Sequence, residues 1–190
     1  MFDRDFFFKS IKNTLIPHPT QGQVDGINVL LDVWEDKFSD KPKEFLAYCL
    51  ATTFHETAST MQPIKEYGQG RHKAYGVATG LFHQVYFGRG DVQLTWLDNY
   101  SNAQNKLNKD FNIDIDIVKN ADNALDPKVA AIILFAGSIE GWFTGKKLSD
   151  YFTPKSSDAI HARKIINGLD CSVKIANYFK VFEEALKNKV

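Results

Sequence analysis

The sequence is poor in the features that mark most specialised small chains. Its 190 residues hold two cysteines, Cys49 and Cys171, too few for a disulfide framework and not in a metal-ligand spacing such as C-x2-C. No window approaches the roughly 18 apolar residues of a membrane span. The opening Met1-Phe-Asp-Arg-Asp-Phe-Phe-Phe-Lys9 sets acids among its aromatics, unlike the apolar stretch of a signal peptide, so a cytoplasmic origin is expected. Repeats and low-complexity tracts are missing too. So is a charge excess: 23 Lys and Arg balance 23 Asp and Glu. That balance disfavours nucleic acid as a partner, because phosphate binding draws on a basic surplus. One local asymmetry remains. From Phe143 to Val190 nine Lys and Arg face five acids, which reads as solvated helix faces or, alternatively, as a face toward an anionic polymer or a membrane surface, such as weak contact with an outer membrane.

What is present suits an ordinary core. Hydrophobic residues make up 44% and aromatics 13%, enough for the core of one domain over residues 1–190. Phe7, Phe8, Ile11 and Leu15 fall at helical spacing before Pro17 and Pro19 end the run. Thr20-Gln-Gly-Gln23 has the form of a capping box and predicts a helix to about Asp36. Pro42 introduces a third helix, ending near Ser59, with Phe45, Leu46, Cys49, Leu50 and Phe54 along one side. A buried thiol is expected at Cys49. Between Gln62 and Gly90 helical period disappears among Pro63, Gly68, Gly70, Gly76, Gly80, Gly88 and Gly90. That stretch reads as a long irregular lobe with a small hairpin around Tyr75 to Phe87. Long ordered loops of this kind are usually functional. Helices resume near Leu97. Asp126-Pro127 starts a nearly all-apolar one, expected to be central, and two more are predicted over 158–166 and 172–186. The fold class is mainly α.

Three constellations carry chemistry. Glu56 closes an apolar helix beside His55 and faces the glycine-rich lobe. Partial desolvation there would favour the protonated carboxyl that a general acid needs, although a plain helix-end glutamate satisfies the same pattern. A zinc peptidase is excluded, because H-E-x-x-H would need a second histidine where Ser59 stands. Glu66 follows ten residues later, beyond Pro63. Two carboxyls about 6.5–9.5 Å apart with a water between them are the apparatus of an inverting glycosidase. The third element runs from Tyr86 to Tyr100, where Val92-Gln-Leu-Thr-Trp96 alternates apolar and polar residues and sends Gln93 and Thr95 to one side. Arg89, between two glycines, is expected to hold the lobe together by ion pairing.

Phe54-His-Glu-Thr57, Tyr86-Phe-Gly-Arg-Gly-Asp-Val-Gln-Leu-Thr-Trp96 and Ile165-Ile-Asn-Gly-Leu-Asp-Cys171 occur in that order at fitting distances. Together they resemble glycoside hydrolase family 19, known from plant chitinases and bacteriophage endolysins, and Gln21-Gly-Gln-Val-Asp-Gly-Ile27 is similar to the endolysin branch. The resemblance spans roughly residues 20–186. It implies a lysozyme-like, two-lobed α fold with a glycine-rich, irregular or small-β lobe beside a cleft. It implies Glu56 as general acid, Glu66 as base and Thr95 as the residue positioning the attacking water. Gln93, Asn99 and Asn167 would bind sugar, with Tyr67 among the aromatics available for stacking. No metal or cofactor is implied. The expected activity is that of a peptidoglycan-cleaving endolysin of muramidase type, inverting and monomeric. Stored in the host cytoplasm, it would reach the wall after holin-type permeabilisation of the inner membrane. The chain departs from the plant enzymes in its short Glu56-to-Glu66 interval, its lack of a disulfide set, and Leu169 where they carry a second glycine. A chitinase of the same family and a non-catalytic wall-binding protein are the competing readings.

Overall fold

The computed structural model describes residues 3–187; Met1 and Phe2 of the opening segment and Lys189 of the basic C-terminal quarter lie outside the described residues. Six α-helices carry the core: α1 (Arg4–Lys12), α2 (Gln21–Lys37), α3 (Lys43–Glu56), α4 (Leu97–Phe111), α5 (Pro127–Glu140) and α6 (Ser172–Ala185). Their starts follow local chemistry. Asp3 caps α1 by accepting from the Phe6 N–H. At α2 both halves of the Thr20/Gln23 capping box form. Asp126 accepts from the Lys128 and Val129 N–H groups ahead of Pro127. Asn112 and Gly141, both left-handed, end α4 and α5.

Two helices share the centre. In α5 each residue from Val129 to Ser138 is buried, as its all-apolar pattern predicts. In α3 each residue from Phe45 to Phe54 is buried, including Thr52 and Thr53. The sequence suggested one buried side for α3. The difference arises because α3 packs against α6, α5 and α2 together. Helix α1 packs on α6, with Phe7 stacked on Phe182 at 6.2 Å. One continuous buried cluster runs from Phe7 to Leu186. No helix of the described residues is long and apolar enough to cross a membrane.

The region between α3 and α4 is the expected irregular lobe, but the hairpin over Tyr75–Phe87 does not form. Residues Ala74–Gly76 make a 3-10 turn, and a single antiparallel bridge joins Thr79 to Gln84. The pairing lies instead at the ends of the lobe, where β1 (Ile64–Lys65) runs antiparallel to β2 (Arg89–Gly90). Gly70 and Gly76 meet backbone to backbone inside it, so a Cβ on Gly76 would sit 1.8 Å from the Gly70 carbonyl oxygen. Arg89 fills its predicted role. Its Nε donates to Asp122 at 2.9 Å, and its Nη1 donates to the Val85 and Phe87 carbonyls and the Tyr100 hydroxyl. A second two-stranded piece, β3 (Phe152–Thr153) with β4 (Ser156–Ser157), turns over Pro154 and was not expected. The helix predicted over 158–166 is a five-residue 3-10 segment, His161–Ile165, started by Asp158 accepting from the His161 N–H and stopped before Asn167-Gly168.

Candidate active site

Glu56 stands at the last position of α3, and the residues after it fix where it points. Thr57 is fully buried. Its hydroxyl donates to the Thr53 carbonyl at 2.7 Å and accepts from the Met61 N–H at 3.1 Å. Ala58, Ser59 and Met61 all take left-handed backbone, turning the chain sharply away from the helix. The turn is clamped onto α2. Gln23 donates to the Ser59 carbonyl at 2.8 Å, and a Cβ on Gly26 would sit 1.8 Å from the Met61 carbonyl oxygen. Only glycine allows α2 to approach so closely. The Gln21–Ile27 segment thus supports the end of α3 from behind.

A cavity of about 400 Å³ opens in front of Glu56. The helical body contributes Glu56, Phe143, Arg163, Ile166 and Asn167, and the opposite wall contributes Tyr75, Gln93, Thr95, Trp96 and Asn99. Five of the seven residues singled out in the sequence, Glu56, Gln93, Thr95, Asn99 and Asn167, therefore share one cavity. Glu66 adjoins it. Its Oε1 accepts from the Tyr75 hydroxyl at 3.0 Å and its Oε2 from the Gly88 N–H at 3.3 Å. Burial and the neighbouring Glu66 carboxylate raise the Tyr75 hydroxyl above its ordinary value, so it remains a donor. Tyr67 does not join them. A turn closed by the Gln69 N–H on the Glu66 carbonyl swings it outward, where it is 83% exposed and away from the cavity lining. On the wall facing the helical body the aromatic rings are Tyr75 and Trp96, edge to face at 5.4 Å, while Phe143 stands on the body side.

The alternation of Val92–Trp96 survives in burial but not in backbone. Val92 and Leu94 are buried, while Gln93 and Thr95 are half-buried at the cavity. Gln93 and Trp96 have positive φ, and Leu94 pairs back onto Arg89, so the run is a tight turn. The turn is held by its own polar groups. Gln93 Nε2 donates to the Ile64 and Gly90 carbonyls, and Asn99 Nδ2 donates to the Thr95 carbonyl at 2.9 Å. The Thr95 hydroxyl gives its proton to the Gln93 carbonyl at 2.8 Å. Its lone pairs stay available to a water.

Arg163 is the residue the sequence reading missed. Its Nη1 donates to Glu56 Oε1 and its Nε to the Asp170 carbonyl. The two side chains are 4% and 15% exposed, so the pair is largely shielded from solvent. Oε2 of Glu56 has no protein hydrogen bond among the described residues. The arginine thus fixes one carboxyl oxygen and leaves the other to whatever enters. The available signal was an arginine among Ala162, Ile165 and Ile166, but its partner lies 107 residues away. Burial and the Arg163 charge hold the His55 imidazole below its ordinary value despite the opposing pull of Glu56. His55 is therefore neutral at physiological pH.

No family model matches the chain, and no curated protein matches it either. Solved structures do. Chitinase C from Streptomyces griseus HUT6037 superposes on 97% of this chain and 76% of its own, with a TM-score of 0.61 and 22% identity. A mutant of chitinase C matches over 97% and 92% of the two chains at a TM-score of 0.55 and 21% identity. A bacterial family 19 chitinase matches over 99% and 96%, at 0.54 and 17%. The chain has the lysozyme-like, mainly α fold of those proteins.

Proposed function

We propose that this protein is a glycoside hydrolase that cuts β-1,4 bonds of peptidoglycan by acid and base catalysis. The observation that carries this reading is the convergence of Glu56, Thr95, Asn99 and Asn167 on one cavity, with the Glu66 carboxylate held behind Tyr75 at its edge. In this reading Glu56 gives a proton from its unengaged oxygen to the departing glycosidic oxygen. Glu66 draws a proton from water, and Thr95 accepts a hydrogen bond from that water and aims it. The carboxamides of Asn99 and Asn167 and the carbonyl oxygen of Gln93 meet sugar hydroxyl and acetamido groups, while Trp96 offers an apolar face. Attack by water on the face opposite the leaving group inverts the anomeric centre.

Peptidoglycan is favoured over chitin by the ten-residue interval between the two glutamates and by the two free cysteines in place of a disulfide set. The basic excess in the last quarter suits a wall that carries carboxylates. Chitin is the second reading, because the solved structures that share the fold are chitinases. In the endolysin role the enzyme would wait in the bacterial host until a holin-type partner opens the inner membrane. Digestion of purified sacculi, with mass spectrometry of the new ends, separates the readings. Reducing N-acetylmuramic acid is expected. Anhydro ends would mean internal attack in place of water, cut peptide stems with intact glycan would remove the glycosidase reading, and faster cleavage of chitin oligomers would favour chitin.

A further inference from the structure

A second cavity, of about 330 Å³, lies directly across Tyr75 and Trp96 from the first, and the two rings form a partition common to both. Its chemistry differs from that of its neighbour. The Glu56 cavity presents carboxamides, a hydroxyl and a guanidinium. The second is lined by Ala74, Val77, Ala78 and Leu97, with Thr79 and Asp98 as polar residues; the Tyr86 hydroxyl is committed to the Val118 carbonyl at 2.7 Å. This second cavity offers a sugar ring fewer hydrogen-bond partners than the Glu56 cavity does, because its lining is mostly apolar. Small aliphatic side chains would lose nothing. Val77 is 66% exposed and Trp96 50%, so apolar surface stands open at the rim without a covering group. Asp98, exposed in the first turn of α4, makes no ion pair among the described residues, so the site offers one negative charge to a ligand.

We propose that this second cavity binds the peptide stem of peptidoglycan, taking alanine methyl groups against Ala74, Val77, Ala78 and Leu97 and the free ammonium of a diamino acid against Asp98. The inference rests on the reading of the Glu56 cavity as a glycan cleft. The stem branches from the lactyl group of alternate sugars, so a stem site has to adjoin the sugar cleft, and the shared Tyr75–Trp96 partition provides that adjacency. Its volume falls within the roughly 300–1,000 Å³ of small-molecule sites. The site gives this chain a means of telling peptidoglycan from chitin, which carries no branch.

Two measurements on the full chain test it. The first compares kcat/KM on soluble glycan strands bearing stems with the same strands stripped by an amidase. The second titrates the tetrapeptide L-Ala–γ-D-Glu–diaminopimelate–D-Ala into the protein and follows the Trp96 indole by NMR. Stem-bearing strands should be preferred about tenfold, a modest pocket's discrimination, and the tetrapeptide should shift the Trp96 signal. Asp98→Asn and Val77→Trp, both at exposed positions, should bring the preference toward one and abolish the shift. Equal cleavage of both strands with no tetrapeptide shift would overturn the stem site and leave the hydrolase reading standing. A tetrapeptide shift without cleavage of any strand would support the site and overturn the hydrolase reading. A preference that persists in both variants would also overturn the assignment of this cavity.

Discussion

Asp91 offers a perturbation whose size can be worked from the structure. It is 2% exposed, its Oδ1 has no hydrogen-bond partner, and burial alone pushes its carboxyl from 3.8 up to about 8. The native state keeps this proton up to about pH 8, while the unfolded chain releases it near pH 4. Between those values the native state binds more protons, so stability contributed here is full below about pH 4 and falls as pH rises to about 8. At about 1.4 kcal/mol per unit, a shift of about four units sets a ceiling of about 6 kcal/mol on the loss. Asp91→Asn removes the titration and retains the shape. Its buried amide costs about 1–3 kcal/mol at every pH, so the diagnostic quantity is the change in the mutant-minus-wild-type difference. Urea unfolding followed by tryptophan fluorescence from pH 4 to pH 9 should show the mutant gaining on the wild type by several kcal/mol across the range. A flat difference would mean that Asp91 is charged and solvated or paired in the folded protein, and would refute the reasoning.

Other outcomes follow from the site and the lobe. Arg163→Met removes the donor that fixes Glu56 Oε1; a loss of about 1.5–3 kcal/mol is expected for a hydrogen bond from a charged group, so thermal unfolding and activity on sacculi should fall together. Tyr75→Phe leaves Glu66 without its side-chain donor, and kcat should drop more than KM rises, with the far-ultraviolet spectrum unchanged. In the water-activating pair, Glu66→Gln should be more damaging than Thr95→Ala, and the reverse order in steady-state rates would move the base elsewhere. Gly76→Ala forces the Gly70 contact apart. A cost of at least about 1–3 kcal/mol is expected, read as faster proteolysis within residues 66–90.

The parts of the molecule legible in the sequence were those fixed by short-range chemistry. The Thr20/Gln23 box, the Asp126-Pro127 start and the apolar period of α6 each specify a helix from within a few residues. The same holds for Glu56, Gln93, Thr95, Asn99 and Asn167, whose motifs resembled a known pattern and which now share a cavity. What stayed hidden depends on distant partners. The lobe is closed by Gly70 against Gly76, by β1 on β2 and by Arg89 on Asp122, and no local period encodes those contacts. Tyr67 and Tyr75 are indistinguishable as loop tyrosines until a turn sends one to solvent and brings the other to Glu66. Arg163 looked like one cation in a basic segment because its carboxylate comes from Glu56, 107 residues earlier.

The central claim is that Glu56 drives hydrolysis of a glycan by water. The direct measurement is digestion of purified sacculi in ¹⁸O-labelled water by the wild type and by Glu56→Gln, with the fold of each verified by thermal unfolding. Glutamine keeps the side chain's shape and its acceptor for Arg163 while removing the proton. Loss of a general acid typically costs 10²–10⁴-fold. The account predicts ¹⁸O at each new reducing end from the wild type, and a well-folded Glu56→Gln protein slower by at least about a hundredfold. Wild-type turnover by Glu56→Gln, or new ends without label, would contradict it.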